Sequence, residues 1–211
     1  MPTRPIQIRK RDLAIILQKI NPHPKPRVAL EQYTIPADLA AELLFSACYV
    51  YNDITGKRII DLGTGTGRLA IGASLLNAEY VVGIDVDQLS LAVAAKASET
   101  LRAHVDWVQA NVETIRSRVD TVIMNPPFGT KQVHADIRFL GIAMEIADVV
   151  YSIHKSSTRN FLIRWLEERG CKVSEIMTSR MEIPHQFTFH RKDRRFVNVS
   201  VIRVRSPSRQ S

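Results

Sequence analysis

Hydrophobic positions along the chain follow two rhythms, and the change between them marks out most of the architecture. From Arg9 to Ile20 the apolar residues Leu13, Ile16, Leu17 and Ile20 recur at helical spacing behind Asp12, which predicts an amphipathic helix. Asn21-Pro22-His23-Pro24-Lys25-Pro26 then admits neither helix nor strand and reads as a short extended linker. A second helix is expected over 36–50, with Pro36 in its first turn and Leu39, Leu43 and Leu44 facing inward. After Thr55-Gly56 short β-branched runs alternate with helical stretches. Strands are predicted at 57–61, 80–84, 105–109, 119–124, 149–153, 171–177 and 195–204, and helices at 68–76, 87–101, 137–147 and 158–168. Strands alternating with helices imply an α/β domain, a seven-stranded, mostly parallel sheet with helices on both faces. Residues 1–27 read as a basic helical N-terminal extension with a Pro-rich linker, 28–205 as the domain and 206–211 as a flexible tail.

Composition narrows the class. The chain has 211 residues, 45% of them hydrophobic and 24% charged, an ordinary globular balance. No apolar run approaches the ~18–20 residues that span a bilayer. The stretch Leu13–Leu17 is too short for a signal peptide. Two cysteines, Cys48 and Cys171, read as reduced apolar filler, and no Cys/His cluster has zinc-ligand spacing. A cytoplasmic protein without a membrane segment or structural metal is expected. Charge adds a further constraint through its distribution. Residues 1–27 hold seven basic side chains and one acid, and so do residues 190–211, whereas the whole chain is only +8. Two basic ends on a mildly acidic middle suit a polyanion gripped by its edges, although arginines serving ion pairs would leave the same arithmetic.

Chemistry is carried by two loops at strand ends. Asp61-Leu62-Gly63-Thr64-Gly65-Thr66-Gly67-Arg68 puts three glycines between a strand and a helix, where a ligand can approach the main chain. Gly65-x-Gly67-x-x-Ala70 satisfies the relaxed dinucleotide fingerprint, while Arg68 breaks the stricter one. Asp61, before the loop, would repel a pyrophosphate and attract a cation, and Asp85, 24 residues on, can accept from ribose hydroxyls. An acid at the loop mouth suits S-adenosylmethionine, with its ammonium and sulfonium; a dinucleotide site and a purely structural turn remain as alternatives. The second loop is Asn125-Pro126-Pro127-Phe128, after the fourth strand. An amino group conjugated to a base or an amide is a poor nucleophile because its lone pair is delocalised. Acceptors on its two hydrogens, the Asn125 side-chain oxygen and the Pro126 carbonyl, would localise that lone pair, and the prolines would hold them in place beforehand. Phe128 offers a face for a flipped base. The competing reading is a Pro-Pro turn beside a core phenylalanine.

The combination of Asp61–Gly67, Asp85 and Asn125–Phe128 resembles the class I, Rossmann-like S-adenosylmethionine-dependent amino-methyltransferases. More narrowly, Leu30-Glu31-Gln32-Tyr33, the run Met124–Lys131, the run Val150–Arg159, Ile183-Pro184 and Phe189–Lys192 resemble the family of the eukaryotic 18S rRNA adenine-N6 methyltransferase and its archaeal relatives. The resemblance implies RNA adenine-N6 methylation, most plausibly of small-subunit rRNA. It implies that Gln32 and the loop after it, with Ile35 through its backbone, close over the methionine end of the donor. Gly63, Gly65, Thr66, Gly67 and Arg68 would line the glycine turn, Asp85 would hold the ribose, and Asn111-Val112 would border the adenine. The family usually has Thr at the place of Ile35 and often Asp at the place of Asn111. It also implies a small zinc-binding partner subunit, for which an exposed apolar edge strand near the glycine loop would be suggestive. Lys131, His154-Lys155 and His190-Arg191-Lys192 are candidate phosphate contacts, with ordinary surface cations as the alternative. His134 is a candidate for the pocket border, and Trp107 and Trp165 are expected in the core. A protein glutamine methyltransferase and a non-catalytic donor-binding RNA assembly factor are the competing functions.

Overall fold

The computed structural model describes residues 8–129, 134–183 and 195–207. In chain order the elements are α1 (Lys10–Gln18), α2 (Ala37–Phe45), β1 (Arg58–Leu62), α3 (Arg68–Leu75), β2 (Tyr80–Asp85), α4 (Gln88–Leu101), β3 (Asp106–Gln109), β4 (Val119–Met124), α5 (Ala135–Ile146), β5 (Ala147–Lys155), α6 (Arg159–Glu167), β6 (Lys172–Ile183) and β7 (Arg195–Arg205). The seven strands form one sheet in the order β3-β2-β1-β4-β5-β7-β6. Strands β1 to β5 pair in parallel, and β7 runs antiparallel between β5 and β6.

Alternation along the strands sends neighbouring residues into opposite cores. Ile59, Ile123 and Tyr151 face the layer built by α1, α2 and α3. Ile60, Val122 and Val150 face the layer built by α5 and α6. Both faces are therefore covered, as a parallel sheet requires. Helix α1, expected as an extension, belongs to the main core: Leu13 and Leu17 are fully buried with the residues of α2 and α3.

Two element boundaries differ from expectation for identifiable reasons. The helix expected over 36–50 keeps α-helical bonding only to Phe45 and widens into a π-helical turn over Ser46–Val50, where the Tyr51 amide donates to the Ser46 carbonyl. Strand β6 runs to Ile183 rather than 177 because β7 pairs with it along its whole length, and a register shift between Glu175 and Met177 breaks the alternation that would have shown it.

The register of the central strands creates the site. Leu62 at the end of β1 lies beside Ile84 of β2 on one side and Met124 of β4 on the other. The glycine loop, the β2 acid end and the Asn125 loop therefore leave the sheet at one edge, where the strand order reverses. Trp107 on β3 packs against this edge. Its indole occupies the space that a Cβ on Gly67 or Gly83 would need, with closest approaches of 2.5 and 2.3 Å, and its Nε1 donates to Ser98 Oγ at 3.2 Å. Away from the site, Tyr151 Oη and Arg203 Nε both donate to Asp53 Oδ2, at 2.6 and 2.8 Å, so the charges between β5, β7 and the loop before β1 are paired. Among the described residues, no helix is long and apolar enough to cross a membrane.

Gly83→Ala drives a methyl into the Trp107 ring and should cost about 1–3 kcal/mol of stability. Urea denaturation of the purified variant against the parent chain measures it.

Candidate active site

Each glycine of the loop after β1 adopts a positive φ: +69° at Gly63, +55° at Gly65 and +83° at Gly67. An L-residue resists this left-handed backbone, which lets the loop fold back on the end of β1. The Thr64 amide donates to the Ile84 carbonyl and the Gly67 amide to the Thr64 carbonyl, so the turn is tied to β2 and closed on itself. The Thr64 hydroxyl and the Ala70 amide both donate to Asp61 Oδ2, at 2.7 and 3.0 Å. The other Asp61 oxygen is buried without a hydrogen-bond partner, in a residue only 1% exposed. Burial pushes the Asp61 carboxyl up to about 7, against the pull of its two donors.

Asp85, at the end of β2, accepts the Gly65 amide at 2.8 Å and the Asp87 amide at 2.9 Å, one on each oxygen. A carboxylate has about four acceptor positions, so room remains for two ligand hydroxyls. Burial raises its pKa, against the amides that favour its charged form. Arg68 opens α3 with a half-buried guanidinium. It donates to the carbonyls of Ile35 and, at 2.9 Å, Ile20, and its Nε has no partner. Desolvation lowers its pKa, and no carboxylate among the described residues forms an ion pair with it.

The segment between the prolines and α2 covers this edge. Asp87, 1% exposed, gathers donors from it: His23 Nε2 at 2.7 Å, Arg27 at 2.8 Å and Gln32 Nε2 at 2.7 Å. The Lys25 amide donates to His23 Nδ1, which places the imidazole proton on Nε2 facing Asp87. Burial alone would raise the Asp87 carboxyl, but the bonds from Gln32 and His23 and the charge of Arg27 hold it below the usual range. Gln32 also accepts the Arg27 amide at 2.7 Å.

The Asn125 loop closes the far wall. Asn125 Nδ2 donates to the Tyr33 carbonyl at 3.3 Å, while Oδ1 is buried without a partner. The Phe128 amide donates to Glu31 Oε2 at 2.8 Å. Between the walls lies a cavity of about 330 Å³, lined by Gln32, Ile35, Asp61, Gly63, Gly65, Thr66, Arg68, Asp85, Asn111, Val112, Asn125 and Pro127 among others.

Almost every residue singled out for donor and acceptor binding is therefore brought to one cavity, and the exceptions are informative. Gly67 and Pro126 are not among the residues lining the cavity; Gly67 stands at the N-terminus of α3, and Pro126 lies between the lining residues Asn125 and Pro127. Asn111 Oδ1 already accepts the Glu113 amide at 3.1 Å, leaving one lone pair for a ligand. The Phe128 ring, expected as an open stacking face, is 8% exposed and covered, with the Tyr33 ring at 6.1 Å and the Lys155 ammonium at 5.6 Å. Its amide is drawn inward by Glu31, and the ring follows. His154, expected among the phosphate contacts, is 1% exposed and bonded through Nε2 to Ser152 Oγ at 2.7 Å, because an inward position on β5 buries it. His134 caps α5 and is not among the residues lining the cavity. Lys131, His190, Arg191 and Lys192 lie outside the described residues.

Among the residues that support the site, His23, Arg27, Glu31, Tyr33, Thr64 and Asp87 were given no role of their own from the chain. Asp87 had a local signal, standing two residues after Asp85 at the same strand end. Glu31 and Tyr33 flank Gln32, but their targets lie more than ninety residues away.

Residues 36–145 match the methyltransferase small domain. The chain belongs to the methyltransferase small-domain family. This methyltransferase is 36% identical over 200 residues to the rRNA N6-adenosine-methyltransferase METTL5 of Danio rerio, a match spanning 92% of this chain and 97% of that one. It is 37% identical over 209 residues to an uncharacterized protein of Methanocaldococcus jannaschii, covering 93% of this chain and 94% of the relative. Its fold superposes on the crystal structure of an RNA methyltransferase candidate from Pyrococcus horikoshii with a TM-score of 0.87 and 42% identity, covering 96% of this chain and all of that one.

The buried Asp61 carboxyl gives a pH signature. Its folded pKa is raised, so the stability it contributes is fully present below the unfolded value near 3.8 and is lost as pH rises through about 7. Asp61→Asn removes that slope. Melting the free protein at about pH 5 and about pH 8 should show the variant gaining on the parent chain at the higher pH.

Proposed function

We propose that this methyltransferase transfers the methyl group of S-adenosylmethionine to the N6 amino group of an adenine in RNA, most plausibly small-subunit rRNA. The observation that carries the reading is the buried, unpartnered Asn125 Oδ1 in the wall of the cavity, its amide turned by the Tyr33 carbonyl. Likeness to METTL5 over nearly the whole chain supports the choice of RNA and of adenine.

The residues fit the donor. Its amino-acid end is a zwitterion, and the cavity wall offers Asp61, with one buried oxygen lacking a donor, and Arg68, a half-buried cation with no acid paired to it among the described residues. Asp61 would take the ammonium and Arg68 the carboxylate. Asp85 would accept from the ribose hydroxyls, with Gly63, Gly65 and Thr66 lining the turn beneath. Asn111 and Val112 would border the adenine, and Gln32 and the Ile35 backbone would close the methionine end. The donor, when bound, supplies an electrophilic methyl group on a sulfonium.

The acceptor chemistry belongs to the loop. Asn125 Oδ1 and the Pro126 carbonyl would accept the two hydrogens of the exocyclic amine and localise its lone pair. Pro126 and Pro127 would hold those acceptors without reorganisation. The donor would supply the methyl group and leave as the neutral thioether, and the proton of the methylated nitrogen would pass to solvent without a dedicated base. A base entering the site would have to displace Tyr33 or Lys155 to reach the Phe128 ring. Lys155, and Lys131, His190, Arg191 and Lys192 beyond the described residues, remain the candidate contacts to phosphate.

For a small zinc-binding subunit, the support lies at the β3 edge. Tyr80 and Val108 are 49% and 40% exposed there, with Val86 and Leu89 also exposed at the end of β2 and the start of α4.

Asn125→Ala should abolish methyl transfer, more than about 10²-fold in kcat, while donor affinity survives. Tritium transfer from labelled S-adenosylmethionine into total RNA and total protein of cells lacking the gene tests the substrate. Label in N6-methyladenosine of small-subunit RNA is expected. Label confined to an RNase-resistant, protease-sensitive fraction would shift the assignment to a glutamine amide. Donor binding without turnover on any cellular RNA would favour the assembly-factor reading.

A further inference from the structure

We propose that Glu31 is a positioning residue for methyl transfer, and that the three-residue segment Glu31-Gln32-Tyr33 couples donor binding to the order of the Asn125-Pro126-Pro127-Phe128 loop. The proposal rests on the methyl-transfer reading for its meaning in catalysis, and its structural half stands apart from it.

The three consecutive residues hold opposite walls of the cavity. Gln32 reaches the donor side, where its amide nitrogen donates to Asp87 Oδ2; the Asp87 amide in turn donates to Asp85 Oδ1. Glu31 reaches the acceptor side, where its carboxylate accepts the Phe128 amide. The Tyr33 carbonyl accepts Asn125 Nδ2, and the Tyr33 ring stacks on Phe128 with 28° between the planes. A continuous path of hydrogen bonds and main chain therefore runs from the ribose-side acid to the loop that would hold the reacting amine.

Two features mark Glu31 as more than a loop residue. Its carboxylate is buried, the residue being 5% exposed, and it is spent on the amide of a loop 97 residues away. Its backbone sits at φ +49°, a left-handed conformation that is uncommon for a non-glycine residue. That conformation is what allows the side chains of Glu31 and Gln32 to serve different walls, with the Tyr33 amide closing the turn on the Glu31 carbonyl at 2.8 Å. The loop depends on this outside help because Pro126 and Pro127 carry no amide hydrogen. Phe128 is the first residue after Asn125 whose main chain can donate a hydrogen bond. Without that bond the prolines still stiffen the loop, but Phe128 is held only through its ring, by Tyr33, Lys155 and the core, and its main chain is free to shift.

The test uses the full chain with Glu31→Ala and Glu31→Gln, and S-adenosylhomocysteine as the donor-site probe. Within 125–129 only Asn125, Phe128 and Gly129 have amide hydrogens, so exchange of the Phe128 amide can be read cleanly. In the parent chain the probe should slow that exchange. In Glu31→Ala the exchange should be about tenfold faster or more and no longer respond to the probe. Probe affinity should stay within about threefold of the parent while kcat falls about 10²-fold, the cost of a misplaced acceptor. Glu31→Gln keeps an oxygen for the Phe128 amide and should retain kcat to within about tenfold. Unchanged Phe128 exchange in Glu31→Ala would overturn the proposal whatever the activity. Probe affinity falling in step with kcat would overturn it too, since the defect would then be a general collapse of the donor site. A parent chain that methylates no RNA yet shows the exchange pattern would refute the functional reading alone and leave the coupling standing.

Discussion

The parallel pairing of β1 with β4 is the constraint from which the site follows. It sets Leu62 beside Met124, so the loops that begin at Gly63 and Asn125 emerge together although sixty residues of chain separate them. Pairing of β1 with β2 adds Asp85 to the same edge through Leu62 and Ile84. A slip of one residue in either ladder would turn Asp61 and Asp85 to the opposite faces of the sheet and dismantle the cavity. The two packed layers make such a slip costly, because every strand residue near the centre has a core on its own side.

Around that edge the protein holds charge in an unusual balance. Asp61 is buried and Arg68 half-buried, each with a buried polar atom left unpaired, and neither is joined to an opposite charge among the described residues. Some other inward charges among the described residues are paired, as Asp53 is with Arg203 and Asp87 with Arg27. The contrast suits the proposed donor, whose zwitterionic end would complete the groups left unpaired. The raised pKa of Asp61 expresses the same deficit in terms of protons.

The N-terminal third of the chain has a part in the site that its sequence pattern understates. Helix α1 fills the core, Arg68 ties the Ile20 and Ile35 carbonyls to the glycine turn, and His23, Arg27 and Gln32 converge on Asp87. The stretch read as a linker over 21–26 contributes His23 to the cavity, and the residues that follow it, Gln32 to Ile35 among them, form one of its walls. Proline-rich sequence suits that task, since a segment without regular secondary structure can still be held in one conformation by bonds to its surroundings.

What the sequence determined by itself was everything carried by local pattern. Alternation and helical spacing marked the strands and helices, because burial on one or both faces imposes those periods on the residues themselves. The glycines announced a backbone that other residues resist, and Asn125-Pro126-Pro127 announced a stiff loop at a strand end, because proline fixes its own φ and removes an amide hydrogen. What only the tertiary structure decided was which groups meet. Glu31 finding the Phe128 amide, Tyr33 turning the Asn125 side chain, Asp87 collecting the linker, and the covering of Phe128 and His154 all depend on contacts between segments distant in the chain. Such contacts leave no periodic trace, since a single hydrogen bond constrains one position and not its neighbours.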